Sequence, residues 1–263
     1  MTFRVMIALL FAALLLQCGE TKYKVASETI EYKQGDETFE GYVAYPEGQS
    51  GELPAVLIVH QWIGLTDNEK GRADQLAEMG YVAFAMDMYG KGVRAKDHEE
   101  AAQLSGIYGG DRPLMRTRLD TAMSVLTSMD NVNASKVAAM GYCFGGMSVI
   151  ELALAGGDVQ GVVSFHGMLM SPNLEQDAGG IDIPIVVHHG ADDPFMKPEV
   201  VENFKNVMTD AKVDMEFVAH PGAVHSFTEV DKGDDPSNGQ AYNKAADEKS
   251  WASMKAFFKK ILG

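Results

Sequence analysis

The feature that most constrains this chain is Gly141-Tyr142-Cys143-Phe144-Gly145-Gly146, set between a strand-like run, Lys136 to Met140, and a helix-like run, Met147 to Ala155. In a G-x-nucleophile-x-G pattern the central residue sits on a sharp strand-to-helix turn. Only small flanking residues there let the backbone before the turn pass the helix that follows it. Such a turn requires a sheet with a helix packed directly behind one of its strands, and it projects the central side chain at that strand's carboxyl edge. Amides at the helix start and the positive end of the helix dipole then face the sulfur and favour the thiolate, the reactive form. A lone cysteine is ordinarily a small buried packing residue. Glycines on both sides, in a strand-turn-helix context, point instead to a nucleophile elbow carrying a thiol.

The remaining pattern supplies the sheet. Glu28 to Lys33 and Thr38 to Tyr45 carry β-favouring residues around the turn-like Gln34-Gly35-Asp36-Glu37, which predicts an antiparallel hairpin. Ala55 to Val59 is continuously apolar, as for a strand covered on both faces, and Tyr81 to Ala85 is the next strand. Between them Glu69 to Met79 has helical spacing and stops at Gly80. Pro113 to Met129 predicts a long helix with Pro113 in its first turn. Val159 to Phe165 and Ile185 to His189 are further buried strands, Glu199 to Thr209 a helix, Met215 to Ala219 a strand, and Gln240 to Leu262 a closing helix. Strands alternating with helices predict an α/β fold, a mainly parallel sheet with helices on both faces, and functional residues at the strands' carboxyl ends.

The amino terminus reads differently. Arg4 precedes an uninterrupted apolar run, Val5 to Leu16, too short to span a bilayer comfortably and of signal-peptide proportions. Leu15-Leu16-Gln17-Cys18-Gly19 is similar to a bacterial lipobox, with Gln17 where Gly, Ala or Ser is usual. Residues 1–18 are therefore read as a leader and 19–263 as one domain, a length and a 46% hydrophobic content that suit a single full-sized core. Three fates are open to the leader, in order of expectation: a lipoprotein with a relaxed box, an ordinary secreted protein, and an uncleaved anchor. The first makes the protein exported and membrane-anchored through lipid on Cys18, the second periplasmic. Only two cysteines are present, so lipid on Cys18 leaves Cys143 without a disulfide partner in the chain. The net charge of −15, with no stripe of Lys and Arg, argues against a nucleic-acid partner.

A thiol nucleophile needs a base within hydrogen-bond reach and a third group to orient that base, in the chain order nucleophile, acid, His. Asp192 and Asp193 occupy the turn after the strand ending at His189, and His225 lies in Pro221-Gly222-Ala223-Val224-His225-Ser226-Phe227, just after the strand ending at Ala219. That order is satisfied. His188 and His189 are adjacent on a strand and point to opposite faces, so they do not jointly chelate an ion. His166 and His60 each end a strand. No HExxH or paired CxxC exists, and no metal is expected.

Taken together the motifs resemble the dienelactone hydrolase family of the α/β-hydrolase fold. Val59-His60-Gln61-Trp62-Ile63-Gly64-Leu65, Gly80-Tyr81-Val82-Ala83, Asp87-Met88-Tyr89-Gly90, the Cys143 elbow, Gly190-Ala191-Asp192-Asp193-Pro194-Phe195 and His225-Ser226-Phe227 occur in the family's order, from about Glu28 to the carboxyl terminus. The resemblance implies a triad of Cys143, His225 and Asp193, the latter at the fourth position of the turn that Gly190 opens, while Asp192 solvates or caps that turn. It implies an oxyanion hole from the backbone amides of Trp62 and Phe144, and no cofactor. It also exposes departures. Gln61 stands where characterised members have a Glu that controls the thiol's protonation, and Lys91 and Glu229 stand where two arginines hold a substrate carboxylate. A negative charge at Glu229 repels a small dicarboxylate, and Lys is not an equivalent bidentate partner.

The expectation is an exported hydrolase that cleaves an ester or lactone of small size through an acyl-enzyme on Cys143. Gln61, Trp62, Tyr89, Lys91, His166 and Glu229 are candidates for the pocket wall. The alternative is a non-catalytic small-molecule-binding protein that retains the fold. A thiol redox protein would need a resolving cysteine other than Cys18. The leader generates the first prediction: expressed in a bacterium, the full-length chain fractionates with membranes, and Cys18→Ala releases it. An unmodified mature amino terminus away from Cys18, found by mass spectrometry, would remove the anchor.

Overall fold

The computed structural model describes residues 22–263, so the leader and Cys18 lie outside the described residues. Two partly alternating strands, β1 (Val25–Gln34) and β2 (Glu37–Pro46), pair antiparallel with Gln34 opposite Glu37, and Gly35 takes φ 58° in the turn between them. The later strands are mostly buried on both faces: β3 (Leu53–Val59), β4 (Val82–Met86), β5 (Val132–Tyr142), β6 (Val162–Phe165) and β7 (Ile185–Gly190), with β8 (Met215–His220) at the edge. They form one eight-stranded sheet in the order β1-β2-β4-β3-β5-β6-β7-β8, parallel from β4 to β8.

The two-residue period of the strands sorts their side chains into two cores. Leu57, Val59, Ala139 and Val187 face α3 (Arg112–Thr127), α4 (Phe144–Leu154) and α6 (Pro198–Asp210). Val56, Ile58, Ala138, Met140 and Val186 face α1 (Asp67–Glu78) and α7 (Lys244–Leu262). Helices therefore cover both faces, as expected. The chain is an α/β protein with the architecture of the α/β-hydrolase fold.

Helix ends follow their capping chemistry. Thr66 and Glu69 form a reciprocal capping box that starts α1, and Gly80 at φ 101° follows its end. Asp111 caps α3, with Pro113 in the first turn.

Three elements differ from the sequence expectation. A helix, α2 (His98–Gly110), fills a stretch with no strong apolar period. Only Ala101 and Tyr108 are buried on it, and Gly106, Gly109 and Gly110 lower its intrinsic propensity. The strand expected from Val159 begins at Val162, because Val159 and Gln160 spend their amides on the Gly157 and Val137 carbonyls in a turn. The closing helix begins at Lys244 rather than Gln240. Gln240 forms a β-bridge with His225, Ala241 N–H donates to the His225 carbonyl, and Asn243 caps the helix.

Behind the elbow, a charged cluster ties α4 to its surroundings. Glu151 on α4 is fully buried and meets Arg112 at 3.4 Å and Arg116 at 3.0 Å, both from α3. Arg116 also reaches Asp177 of α5 (Leu174–Asp177) at 2.7 Å, and Arg112 donates to the Met170 carbonyl at 2.9 Å. The loop after β6 is thereby fastened to the elbow helix. Removing one partner of a buried ion pair leaves an uncompensated charge, which costs about 3–5 kcal/mol. Glu151→Ala is therefore expected to lose stability of that order in a urea titration, with the slope unchanged; a loss below about 1 kcal/mol would show that water reaches the cluster.

Candidate active site

β5 ends at Tyr142, and Cys143 turns the chain at φ 53° and ψ −111° before α4 begins at Phe144. A positive φ is strained for any residue with a Cβ. The glycines make the turn sterically feasible: a Cβ on Gly141 would stand 2.1 Å from the Gly145 carbonyl oxygen, and one on Gly145 would stand 2.1 Å from that of Val59. Cys143 N–H donates to the Phe165 carbonyl at 3.0 Å, and the Cys143 carbonyl accepts the first helical bond, from Met147 at 3.2 Å. The Phe144 amide is thus a first-turn donor with no intrahelical acceptor.

The loops after β7 and β8 meet this turn. Asp193 Oδ2 lies 2.7 Å from His225 Nδ1, and His225 Nε2 lies 3.0 Å from Cys143 Sγ. A carboxylate only accepts, so Nδ1 carries the hydrogen. Asp193 is itself held by the Phe195 N–H, 2.8 Å from Oδ1. Asp192 is spent on the turn, accepting from the Gly222 N–H at 3.0 Å. His225 is gripped on both sides of its backbone: its N–H donates to the Gly239 carbonyl and its carbonyl accepts from Ala241, with Ser226 at φ 59°. Burial by itself lowers the proton affinity of His225. The Cys143 sulfur and the Asp193 carboxylate outweigh it and raise His225 well above the ordinary imidazole range.

The other expected site residues separate. Trp62 presents an amide with no acceptor among the described residues, while its carbonyl accepts from Tyr89 Oη at 3.0 Å and its ring lies 5.3 Å from that of His98. Tyr89 is therefore a brace for the β3 loop rather than an open pocket wall. Gln61 is spent in the same loop, its Oε1 accepting from Ile63 N–H at 3.0 Å. His166 has no exposed surface: it bonds Thr228 Oγ1 at 2.8 Å and stands edge-on to His225 at 5.2 Å, behind that ring and away from solvent. Burial, and then His225, lower it well below the usual imidazole range. Lys91 turns outward to an ion pair with Glu31 on β1. Glu229 is buried, 3.6 Å from Lys232, and burial raises its carboxyl. It shares with Gln61, Arg72 and Thr228 a cavity of about 570 Å³.

Sequence reasoning passed over Phe195, half exposed and perpendicular to the His225 ring at 5.5 Å, and His60, whose role depends on contacts that no motif spells out. Among the described residues no cluster of three His, Cys, Asp or Glu side chains is arranged to hold a metal ion.

The sequence model of the dienelactone hydrolase family matches residues 39–262. A solved structure of a dienelactone hydrolase-like promiscuous phosphotriesterase from metagenomic libraries is 34% identical, superposes with a TM-score of 0.84, and is covered over 99% of its length by 91% of this chain. A Yersinia pestis protein bearing the provisional name carboxymethylenebutenolidase is 26% identical over 81% of this chain and 79% of its own. A Klebsiella pneumoniae structure, provisionally a dienelactone hydrolase, shares the fold at 21% identity, with a TM-score of 0.79 over 90% of this chain and 99% of that one.

The electrostatics of His225 give a direct test. Cys143→Ala deletes the sulfur's contribution and leaves burial in place, so His225 should titrate at lower pH in the variant than in the wild type, followed by NMR of its ring proton. Equal midpoints would mean that the sulfur and the imidazole share no charge.

Proposed function

The chain belongs to the dienelactone hydrolase family and is a carboxylic ester or lactone hydrolase, and on that premise we propose that it works through a covalent acyl-enzyme on Cys143. The observation that carries this reading is the unbroken line from Asp193 through His225 to Cys143, at 2.7 and 3.0 Å. With the Cys143 thiol proton taken up by His225, the thiolate adds to the substrate carbonyl carbon, and the carbonyl π electrons move to oxygen, where the Trp62 and Phe144 amides receive the charge. One such donor is typically worth about 3 kcal/mol in the barrier. The tetrahedral intermediate collapses as His225 gives its proton to the leaving oxygen, which departs as an alcohol or, from a lactone, stays tethered as a hydroxyl. His225 then takes a proton from water as that water adds to the thioester carbonyl, and the second tetrahedral intermediate breaks its C–S bond, releasing the carboxylic acid and returning the electron pair to Cys143 Sγ; Asp193 keeps the imidazole oriented and stabilises its positive charge.

Substrate charge follows from where the cations go. Lys91 points out to Glu31 at the surface, and the second position carries an acid, Glu229, buried against Lys232, so neither presents the bidentate cation with which the family's arginines bind a carboxylate. A neutral ester or lactone therefore fits this site better than a dianion. A neutral phosphotriester, the substrate class named for the metagenomic relative, presents an electrophilic centre to the same thiolate and belongs in the same panel. We further propose, from the leader alone, that the protein is exported and anchored through Cys18.

The test is a panel of esters and lactones varied in charge, with intact-mass detection of the acyl-enzyme. Neutral substrates should give higher kcat/KM than dianionic analogues of the same size. Cys143→Ala should lose roughly 10⁴-fold or more in kcat while remaining folded, and Cys143→Ser should retain only weak activity. Wild-type rates in the alanine variant would sink the covalent mechanism, and tight ligand binding without any acyl adduct would favour a binding protein.

A further inference from the structure

His60 follows the last residue of β3 with no exposed surface, and both of its ring nitrogens are committed. Nδ1 lies 2.6 Å from the Gln61 carbonyl oxygen, and Nε2 lies 3.1 Å from the Met88 amide nitrogen. A carbonyl only accepts and an amide N–H only donates, so the two bonds fix one tautomer: Nδ1 carries the hydrogen, Nε2 accepts, and the ring is neutral. Burial, which lowers the proton affinity of this imidazole, acts in the same sense.

The Gln61 carbonyl and the Trp62 N–H belong to one peptide unit. The peptides of the described residues are trans. In a trans peptide the C=O and N–H point in opposite directions. Drawing the carbonyl onto His60 therefore aims the Trp62 N–H away from the His60 ring. The following groups are held as well: the Trp62 carbonyl accepts from Tyr89 Oη, and Ile63 N–H donates to Gln61 Oε1. The support is rigid in its turn, because Asp87 Oδ1 accepts from the Tyr89 and Gly90 amides. On the other side, the His60 ring stacks at 6.2 Å on Phe144, whose amide is the second donor in the mechanism above.

We propose that His60 is a positioning residue for the hydrolysis: it locks the Gln61–Trp62 peptide so that the Trp62 N–H faces the oxyanion formed when Cys143 Sγ adds to a carbonyl. The proposal rests on the acyl-enzyme reading and deepens it. Without His60 the Gln61 carbonyl keeps only the longer bond from Gly64 N–H, at 3.2 Å, so the peptide tilts and the Trp62 N–H loses its alignment with the site although Cys143, His225 and Asp193 stay in place.

The experiment uses the full chain and an aryl trifluoromethyl ketone. The thiolate adds to the ketone carbon, the π electrons move to oxygen, and nothing leaves, so the hemithioketal holds the oxyanion in place. ¹⁹F NMR across a pH series reads how readily its hydroxyl ionises. In His60→Ala and His60→Gln the hydroxyl should ionise at higher pH than in the wild type, and kcat for a neutral ester should fall about a hundredfold with KM nearly unchanged. The rate of Cys143 alkylation by iodoacetamide, which needs the thiolate but no oxyanion donor, should stay within about twofold. His60→Asn should recover much of the loss, because its Nδ2 stands where the His Nδ1 stood and donates to the same carbonyl. Unchanged hemithioketal ionisation in His60→Ala, no advantage of Asn over Gln, or alkylation falling in step with kcat would each overturn the proposal. A wild type that forms the adduct as described but hydrolyses nothing would instead defeat the functional reading and leave the role of His60 standing.

Discussion

The site depends on one close passage of backbone over backbone, where the first turn of α4 crosses the ends of β3 and β5. No side chain fits between them, since a Cβ on Gly141 or on Gly145 would overlap a carbonyl oxygen at 2.1 Å. The passage brings the Phe144 amide beside the loop that carries Trp62 and holds Cys143 at φ 53°. A non-glycine residue in that region costs about 1–3 kcal/mol and persists only where its surroundings over-determine it. Here the Phe165 carbonyl and the Met147 amide fix the backbone of Cys143 on its two sides, and the Glu151 cluster fixes the helix behind it.

The charge arrangement around His225 follows the same logic. An imidazolium is costly to bury, and what offsets that cost is the sulfur on one nitrogen and the Asp193 carboxylate on the other. The arrangement fails if a second positive charge appears next to it. His166 stands edge-on to His225 at 5.2 Å, and its complete burial keeps it neutral. The structural histidine is thus an electrostatic condition for the reactive one, as well as a packing partner.

Much of the fold was legible because buried parallel strands are written as continuous apolar runs and helix ends as caps. The five-residue run from Ala55, Gly80 after α1 and Pro113 in the first turn of α3 all carry local physical reasons that survive into the structure. The elbow was legible for the same reason, because steric exclusion at Gly141 and Gly145 is a local demand. What was not legible depends on partners distant in sequence. Nothing near Lys91 says that it will choose Glu31, sixty residues earlier. The segment from Gln240 has helical composition and is withheld from α7 by its bridge to His225, by the Tyr242 N–H bond to the Gly233 carbonyl and by the Asn243 cap. Glu229 reads as a loop carboxylate until its burial is seen. The helix α2 escaped because it buries so little that it leaves almost no apolar period to read.

The distant pairings also bear on specificity. Several cations of the α1, α3 and loop segments are committed to the scaffold: Arg94 to the Leu65 and Val93 carbonyls, Arg72 to Asp247 and the Thr228 carbonyl, Arg112 and Arg116 to Glu151, and Lys232 to Glu229. Each holds a loop in place, and each is thereby withdrawn from a substrate. Recruiting Arg112 or Arg116 away from Glu151, or Lys232 away from Glu229, would leave a buried carboxylate short of its cation, a cost of several kcal/mol that an exposed salt bridge cannot return. What the site presents freely is apolar, above all Phe195, which stands perpendicular to His225 and is half exposed. Apolar surface removed from water returns about 25 cal/mol per Å², and gathering it from a neutral substrate disturbs none of these pairs. On the proposed hydrolysis, the interactions that hold these segments in register therefore favour a neutral substrate over a charged one.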